Sequence, residues 1–220
     1  ELGLAAPGTD FESDLQYISI IGSIEGHIAL PMENKTTKYE HLIPQLIAVE
    51  ENPKLRGLLV ILNTMGGDVE AGLALAEMIA TLSKPTVSLV LGGGHSIGIP
   101  LATATDYSFI AGTATMTLHP IRTTGLVITA ETTFDYMRKT QDRVIDFIAG
   151  HSRATKKRVT ELMNCSDNMS NDVGTILFGK EAVDAGIIDA VGGVSQALGE
   201  LRRRVAKVDE LKKEISISTD

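Results

Sequence analysis

The sequence predicts a single α/β domain built on parallel strands joined by crossover helices, and three observations predict it. Residues 57–63 (GLLVILN) and 86–90 (TVSLV) are short, continuous apolar runs, the composition of strands covered on both faces. Between them, residues 68–82 place Val69, Leu73, Ala76 and Ile79 at helical spacing. Strand, helix and strand in that order form a βαβ unit, hence a parallel pair with a right-handed crossover. With 220 residues, 43% of them hydrophobic, the chain is large enough to bury one core of its own. Aromatics are only 4% and Trp is absent, so that core must be aliphatic.

The remaining elements follow in order. Residues 1–16 read as a small, polar, Gly/Pro-containing arm, whose end overlaps the next run. Residues 16–26 (QYISIIGSIEG) are β-branched and partly alternating, a strand entering a glycine turn. Residues 35–50 suggest a helix with Leu42, Ile43, Leu46 and Ile47 on one stripe, and Pro44 belongs near its start. After the βαβ unit come a small-residue helix (SIGIPLATAT) and strands over 107–110 and 115–118. Residues 130–151 form a long amphipathic helix with Phe134, Met137, Gln141, Ile145 and Ile148 along one face. A helix at 156–163, a polar loop (NCSDNMSND), segments at 180–185 and 187–189, and a helix from about 194 complete the chain. The expected organisation is therefore an arm at 1–16, a body at 17–195 with a protruding handle at about 121–151, and a C-terminal helix and tail at 196–220.

Composition excludes several function classes. A net charge of −8 argues against nucleic acid or an anionic membrane as partner. No apolar run approaches the ~20 residues of a membrane span. A lone Cys165 excludes an internal disulfide. No basic leader precedes an apolar stretch, so a cytoplasmic location is expected, with residues before Glu1 left open. No metal or cofactor is called for.

Three constellations carry chemistry. At the first strand-to-helix junction stand Asn63-Thr64-Met65-Gly66-Gly67-Asp68. Paired glycines there allow backbone N–H groups to approach a ligand, and the helix N-terminus favours negative charge. At the second junction stand Gly92-Gly93-Gly94-His95-Ser96-Ile97-Gly98. A Ser at such a junction exposes its Oγ, with the following N–H, here that of Ile97, pointing into the same space. His95 reads as a polar-lining residue, because neighbours at a helix start point apart. The third is Thr117-Leu118-His119-Pro120 at the carboxyl end of a strand, where α/β active sites form. A neutral imidazole there can take the serine's proton and return it.

Literally, G-H-S-I-G matches the α/β-hydrolase elbow, whose order is Ser, acid, His. That order would require His151, inside an amphipathic helix, and is disfavoured. The observed order, Gly-Gly turn, Ser and then His on successive units, resembles the Clp-protease proteolytic subunit family. That family's N-S-P-G-G, A-S-M-G and I-H-Q-P correspond here to Asn63-Thr64-Met65-Gly66-Gly67, His95-Ser96-Ile97-Gly98 and Leu118-His119-Pro120. Its S-A-x-E-A-x-x-Y-G-L-I-D is similar to residues 180–189, and the resemblance spans roughly residues 17–195. Residues 34–41 (NKTTKYEH) and the G-G-G-H-S-I-G stretch look like a branch associated with preprotein export.

The resemblance implies a ClpP/crotonase-like βαβ superhelix with a protruding handle helix. It implies a serine endopeptidase with Ser96 as nucleophile, His119 as base, and Gly66 or Gly67 with Ile97 as oxyanion hole. Asp172 is the expected acid and Asp167 the reserve, because the loop before residue 180 departs from the family's. Met65 also replaces the family's Pro, and no convincing copy of the N-terminal gating loops is found, which leaves dependence on an ATPase unfoldase open. Implied partners are a peptide or unfolded protein, bound by strand addition along residues 121–127, and copies of the chain in a homo-oligomeric ring. Three rivals stand beside this reading. They are a Ser–Lys signal-peptide peptidase using Lys139 or Lys156, a crotonase-type acyl-CoA enzyme, and a non-hydrolytic scaffold for export.

Overall fold

The computed structural model describes residues 13–122, 129–166 and 173–218. Its central sheet is parallel, with strand order β2-β1-β3-β4-β5-β8. The strands on this path are β1 (Leu15–Glu25), β2 (Thr36–Lys38), β3 (Gly57–Gly67), β4 (Thr86–Gly94), β5 (Tyr107–Ile110) and β8 (Ala190–Val191). A second layer of pairing leaves this path. β6 (Thr115–Leu118) joins the end of β4 through Gly93 and Thr115, and β7 (Thr175–Phe178) lies antiparallel to β6.

The expected βαβ unit is present. β3 and β4 pair in parallel, and α2 (Val69–Ala80) crosses between them with Leu73, Leu75, Ala76 and Ile79 buried. Leu58, Val60, Leu62, Val87, Leu89 and Val90 are buried as well, which explains why these strands read as continuous apolar runs. The main aliphatic core lies between the sheet and α1 (Tyr39–Glu51), α2, α3 (Gly98–Thr103), α4 (Ala130–Gly150) and α5 (Lys156–Met163). A smaller core on the other face seats Ala197, Leu201 and Val205 of α7 (Val194–Ser218) on Leu59, Val87, Leu89 and Phe109. The helix α6 (Gly179–Asp184) follows β7 directly.

The structure corrects several boundaries. Residues 36–38, expected at the start of a helix, form β2, because Thr37 Oγ1 donates to Ile21 O and accepts from Ile21 N, both at 2.8 Å. The helix begins at Tyr39, tolerates Pro44, and buries Leu42, Leu46 and Val49, while Ile47 is half exposed. β3 and β4 run past Asn63 and Val90 to Gly67 and Gly94, so both glycine motifs are strand ends rather than free turns. β7 falls where only loop and acid were expected. Its β-branched Thr175 and Ile176 are followed at once by a helix start, which hides a four-residue strand from periodicity.

The long helix matches its expected span to within a residue, but its buried face is confined to the C-terminal half. Val144, Ile145, Phe147 and Ile148 are buried while Phe134 is 68% exposed. Among the described residues no helix is long and apolar enough to cross a membrane.

Candidate active site

The end of β3 is organised by Thr64, which is buried. Its Oγ1 donates to Gly22 O at 2.6 Å and accepts the Gly66 N–H at 3.1 Å, and its carbonyl accepts the His95 N–H at 3.1 Å. One hydroxyl thus ties the β1 turn and the glycine pair together, and the same residue's backbone anchors the serine loop. The two glycines take φ of 92° and 150°. A Cβ on Gly67 would lie 2.2 Å from Ile24 O, so only glycine fits there. Ile24 opposes Gly67 in the parallel ladder and accepts from Asp68 N at 2.9 Å, which turns the N–H of Gly67 away from β1. Asp68 then caps α2, its Oδ1 accepting the Ala71 N–H at 2.8 Å.

Ser96 sits between β4 and α3 with φ of 56°, the left-handed conformation that a side chain other than glycine rarely takes. Its own N–H donates to Thr117 O at 2.9 Å, and its carbonyl accepts from Ile99 N at 3.0 Å. The strand, the strained residue and the short helix make a tight strand-to-helix elbow. The Ile97 side chain is buried, and its N–H donates to no backbone acceptor among the described residues. β6 delivers the histidine. Leu118 is buried, and His119 follows it, partly exposed, with Nδ1 2.7 Å from Pro120 O.

Gly67, Ser96, Ile97 and His119 line one hollow of about 160 Å³, with Val144 and Met163 as apolar wall and Arg122 at its edge. Gly66 stands behind it, where an added Cβ would come within 2.7 Å of Ser96 Cβ. The fold therefore brings together the glycine pair, the serine, the following residue and the histidine that the sequence singled out. Asp172 and Asp167 lie outside the described residues, as do residues 123–127 of the substrate strand expected at 121–127. Ile121, the first residue of that strand, instead gives its N–H to Gln141 Oε1 at 3.1 Å.

The rival bases lie elsewhere. His151 lines a separate hollow of about 500 Å³, its ring stacked on Phe147 at 4.1 Å and its Nδ1 held by Phe147 O. Lys156 Nζ pairs with Asp146 Oδ1 at 2.6 Å, and neither Lys156 nor the exposed Lys139 lines the hollow at Ser96. His95 faces Thr117, its Nδ1 2.8 Å from the hydroxyl. Burial, and secondarily the nearby His119, push the His95 imidazole below its ordinary range. The roles of Thr64, Thr117 and Gln141 were not read from the sequence. Gln141 carried a signal, as the polar member of an otherwise apolar helical stripe.

This frame and this cluster agree with what is known of other chains. The family model described as Clp protease matches residues 13–195. The chain belongs to the Clp protease family. A relative from Halalkalibacterium halodurans, named translocation-enhancing protein TepA, is 57% identical over 196 residues, which cover 89% of this chain and 77% of the relative.

Proposed function

We propose that the chain is a serine endopeptidase in which Ser96 is the nucleophile and His119 the general base. The observation that carries this is the strained elbow, which aims Ser96 into the same small hollow as His119, Gly67 and the Ile97 amide. In the proposed reaction Ser96 Oγ attacks a peptide carbonyl carbon as its proton passes to His119. The imidazolium then protonates the leaving amine, and water releases the acyl group by the reverse path. The oxyanion would be met by the N–H groups of Ile97 and Gly67, since Thr64 Oγ1 already holds the Gly66 N–H.

The relative's name supports a link to protein translocation, and we take the substrate to be a preprotein or its cleaved signal peptide, handled in the cytoplasm. Family membership and the exposed outer half of α4 support a homo-oligomeric ring of these chains. A second reading, an export scaffold without peptidase activity, is favoured by one observation: no Ser96–His119 hydrogen bond forms among the described residues. Labelling with a serine-reactive fluorophosphonate decides between the two, run beside cleavage of casein and a signal peptide. The peptidase reading expects label on Ser96 and none in Ser96→Ala. Absence of label in the unsubstituted protein, or equal cleavage by Ser96→Ala, would overturn it.

A further inference from the structure

We propose that His95 is a positioning residue: its ring, laid over Gly93, braces Thr117 and so fixes where β6 presents His119 to Ser96. The inference rests on reading Ser96 and His119 as nucleophile and base. β6 leaves the main sheet, and among the described residues Gly93 with Thr115 is the one register pair that joins it to β4. A single pair fixes a point and leaves the strand's angle to be set elsewhere. Thr117, two residues before His119, is gripped twice. Its carbonyl accepts the Ser96 N–H at 2.9 Å, and its hydroxyl meets His95 Nδ1 at 2.8 Å. Between that grip and the base stands only Leu118, which is fully buried. On its other side His95 gives its N–H to Thr64 O at 3.1 Å, and Thr64 Oγ1 holds the Gly66 N–H. The residue before the serine therefore ties the strand of the glycine pair to the strand of the base.

Gly93 makes room for the ring. A Cβ built there would lie 2.5 Å from His95 Nε2 and 2.7 Å from its Cδ2, while the next nearest atom, Thr64 O, is 3.3 Å away. Gly93 is not among the glycines of positive φ, so its backbone would accept a side chain and the ring is what forbids one. This accounts for the middle glycine of the G-G-G-H-S run.

The brace does not depend on which nitrogen carries hydrogen. A hydroxyl both donates and accepts, so Thr117 can give its proton to a bare Nδ1 or take one from Nδ1–H. Burial holds the imidazole below its ordinary range, so near neutral pH the ring places no charge beside His119. No proton passes through His95 in the reaction. It acts by its shape and by one hydrogen bond.

The test is the rate of fluorophosphonate labelling at Ser96 across pH, on the full chain, with each variant's folded fraction measured alongside. Labelling of His119→Ala at the unsubstituted rate would sink the underlying reading, whatever braces β6. If that reading stands, His95→Ala and Thr117→Val should each label about tenfold slower, since a misplacement of ~1 Å costs up to about 10²-fold. The double variant should be no slower than either single one, because both remove the same bond. The pH profile should fall as a whole with its shape kept. A moved acid midpoint at an unchanged plateau would mean that the ring acts through charge, and would overturn the brace.

His95→Asn, whose amide reaches the position of Nδ1, should recover most of the rate. Gly93→Ala should label as slowly as His95→Ala, although both bonding partners remain in the chain. His95→Asn has no atom where Nε2 and Cδ2 stood, so adding Gly93→Ala to it should cost less than about threefold. Equal slowing by Gly93→Ala in both backgrounds would refute the role of the ring, as would full-rate labelling by His95→Ala. Should these variants fail to fold, Thr117→Val decides alone. It exchanges one hydroxyl for a methyl, and full-rate labelling by it refutes the proposal.

Discussion

Asn63 Oδ1 accepts the Gly93 N–H at 2.9 Å, across the break where β3 and β4 slip register. Leu62 opposes Val90 but Thr64 opposes Gly94, so β4 carries two more residues than β3 over this stretch. The side chain replaces the ladder bond that the slip removes, just before the chain turns into Ser96. Asn63→Leu leaves the Gly93 N–H without its acceptor, and we expect a loss of about 1–3 kcal/mol in urea unfolding. Labelling of Ser96 should fall further than stability alone explains, and Asn63→Asp should keep both. A labelling rate that tracks only the folded fraction would show that Asn63 does not position the elbow.

The φ of 56° at Ser96 predicts an effect that chemistry alone does not. A left-handed residue with a Cβ is strained by roughly 1–2 kcal/mol. Ser96→Ala retains that strain and Ser96→Gly releases it, although both lose the nucleophile. Ser96→Gly should therefore be the more stable of the two by about 1 kcal/mol. Equal melting temperatures would mean that the strain is not there.

The sequence made the fold legible wherever burial was two-sided. Residues 57–63 and 86–90 announced parallel strands because both their faces are covered, and α2 showed its stripe because only one of its faces is. It failed at β2 and β7, three and four residues long, where threonine hydrogen bonds and a neighbouring strand decide the conformation and no periodicity can develop. In the site, Gly67 was legible because backbone geometry dictates its type, and Ser96 because it stands among glycines at a strand-to-helix junction. Thr64 and Gln141 were missed because each acts through another residue's backbone, and a sequence does not display which peptide a side chain will meet.

His95 provides a pH test of that buried polar layer. Its ring is packed beside Thr117 Oγ1 and close under Gly93, and its imidazole is held below the ordinary 6.5, first by burial and then by the charge of His119. The unfolded chain therefore binds a proton that the folded chain resists. By linkage this stability is fully present above about pH 6.5 and is lost as pH falls below it. His95→Gln, which keeps a polar partner for Thr117, should flatten the decline in melting temperature on that acid side and leave the neutral value nearly unchanged. An unaltered slope would show that His95 titrates normally.

The long helix α4 divides its residues between two tasks, and the two can be separated. Its C-terminal half is core: Ile148 is fully buried, and Ile148→Ala should cost about 2–5 kcal/mol through the cavity it leaves. Its N-terminal half carries Phe134 and Tyr136 at 68% and 61% exposure, large apolar surface that is mostly uncovered among the described residues. If that surface is where copies of the chain meet, Phe134→Glu with Tyr136→Glu should reduce the assembled mass in native mass spectrometry. The stability of the protomer should then change by no more than about 0.5 kcal/mol, as for other exposed positions. The Arg143–Glu70 pair, bidentate at 2.7 and 3.1 Å but about half exposed on both sides, clips α4 to α2 between these halves. It should contribute less than about 1 kcal/mol, so Arg143→Ala should alter neither property much. An assembly that survives the double glutamate variant would relieve the handle of any role in it.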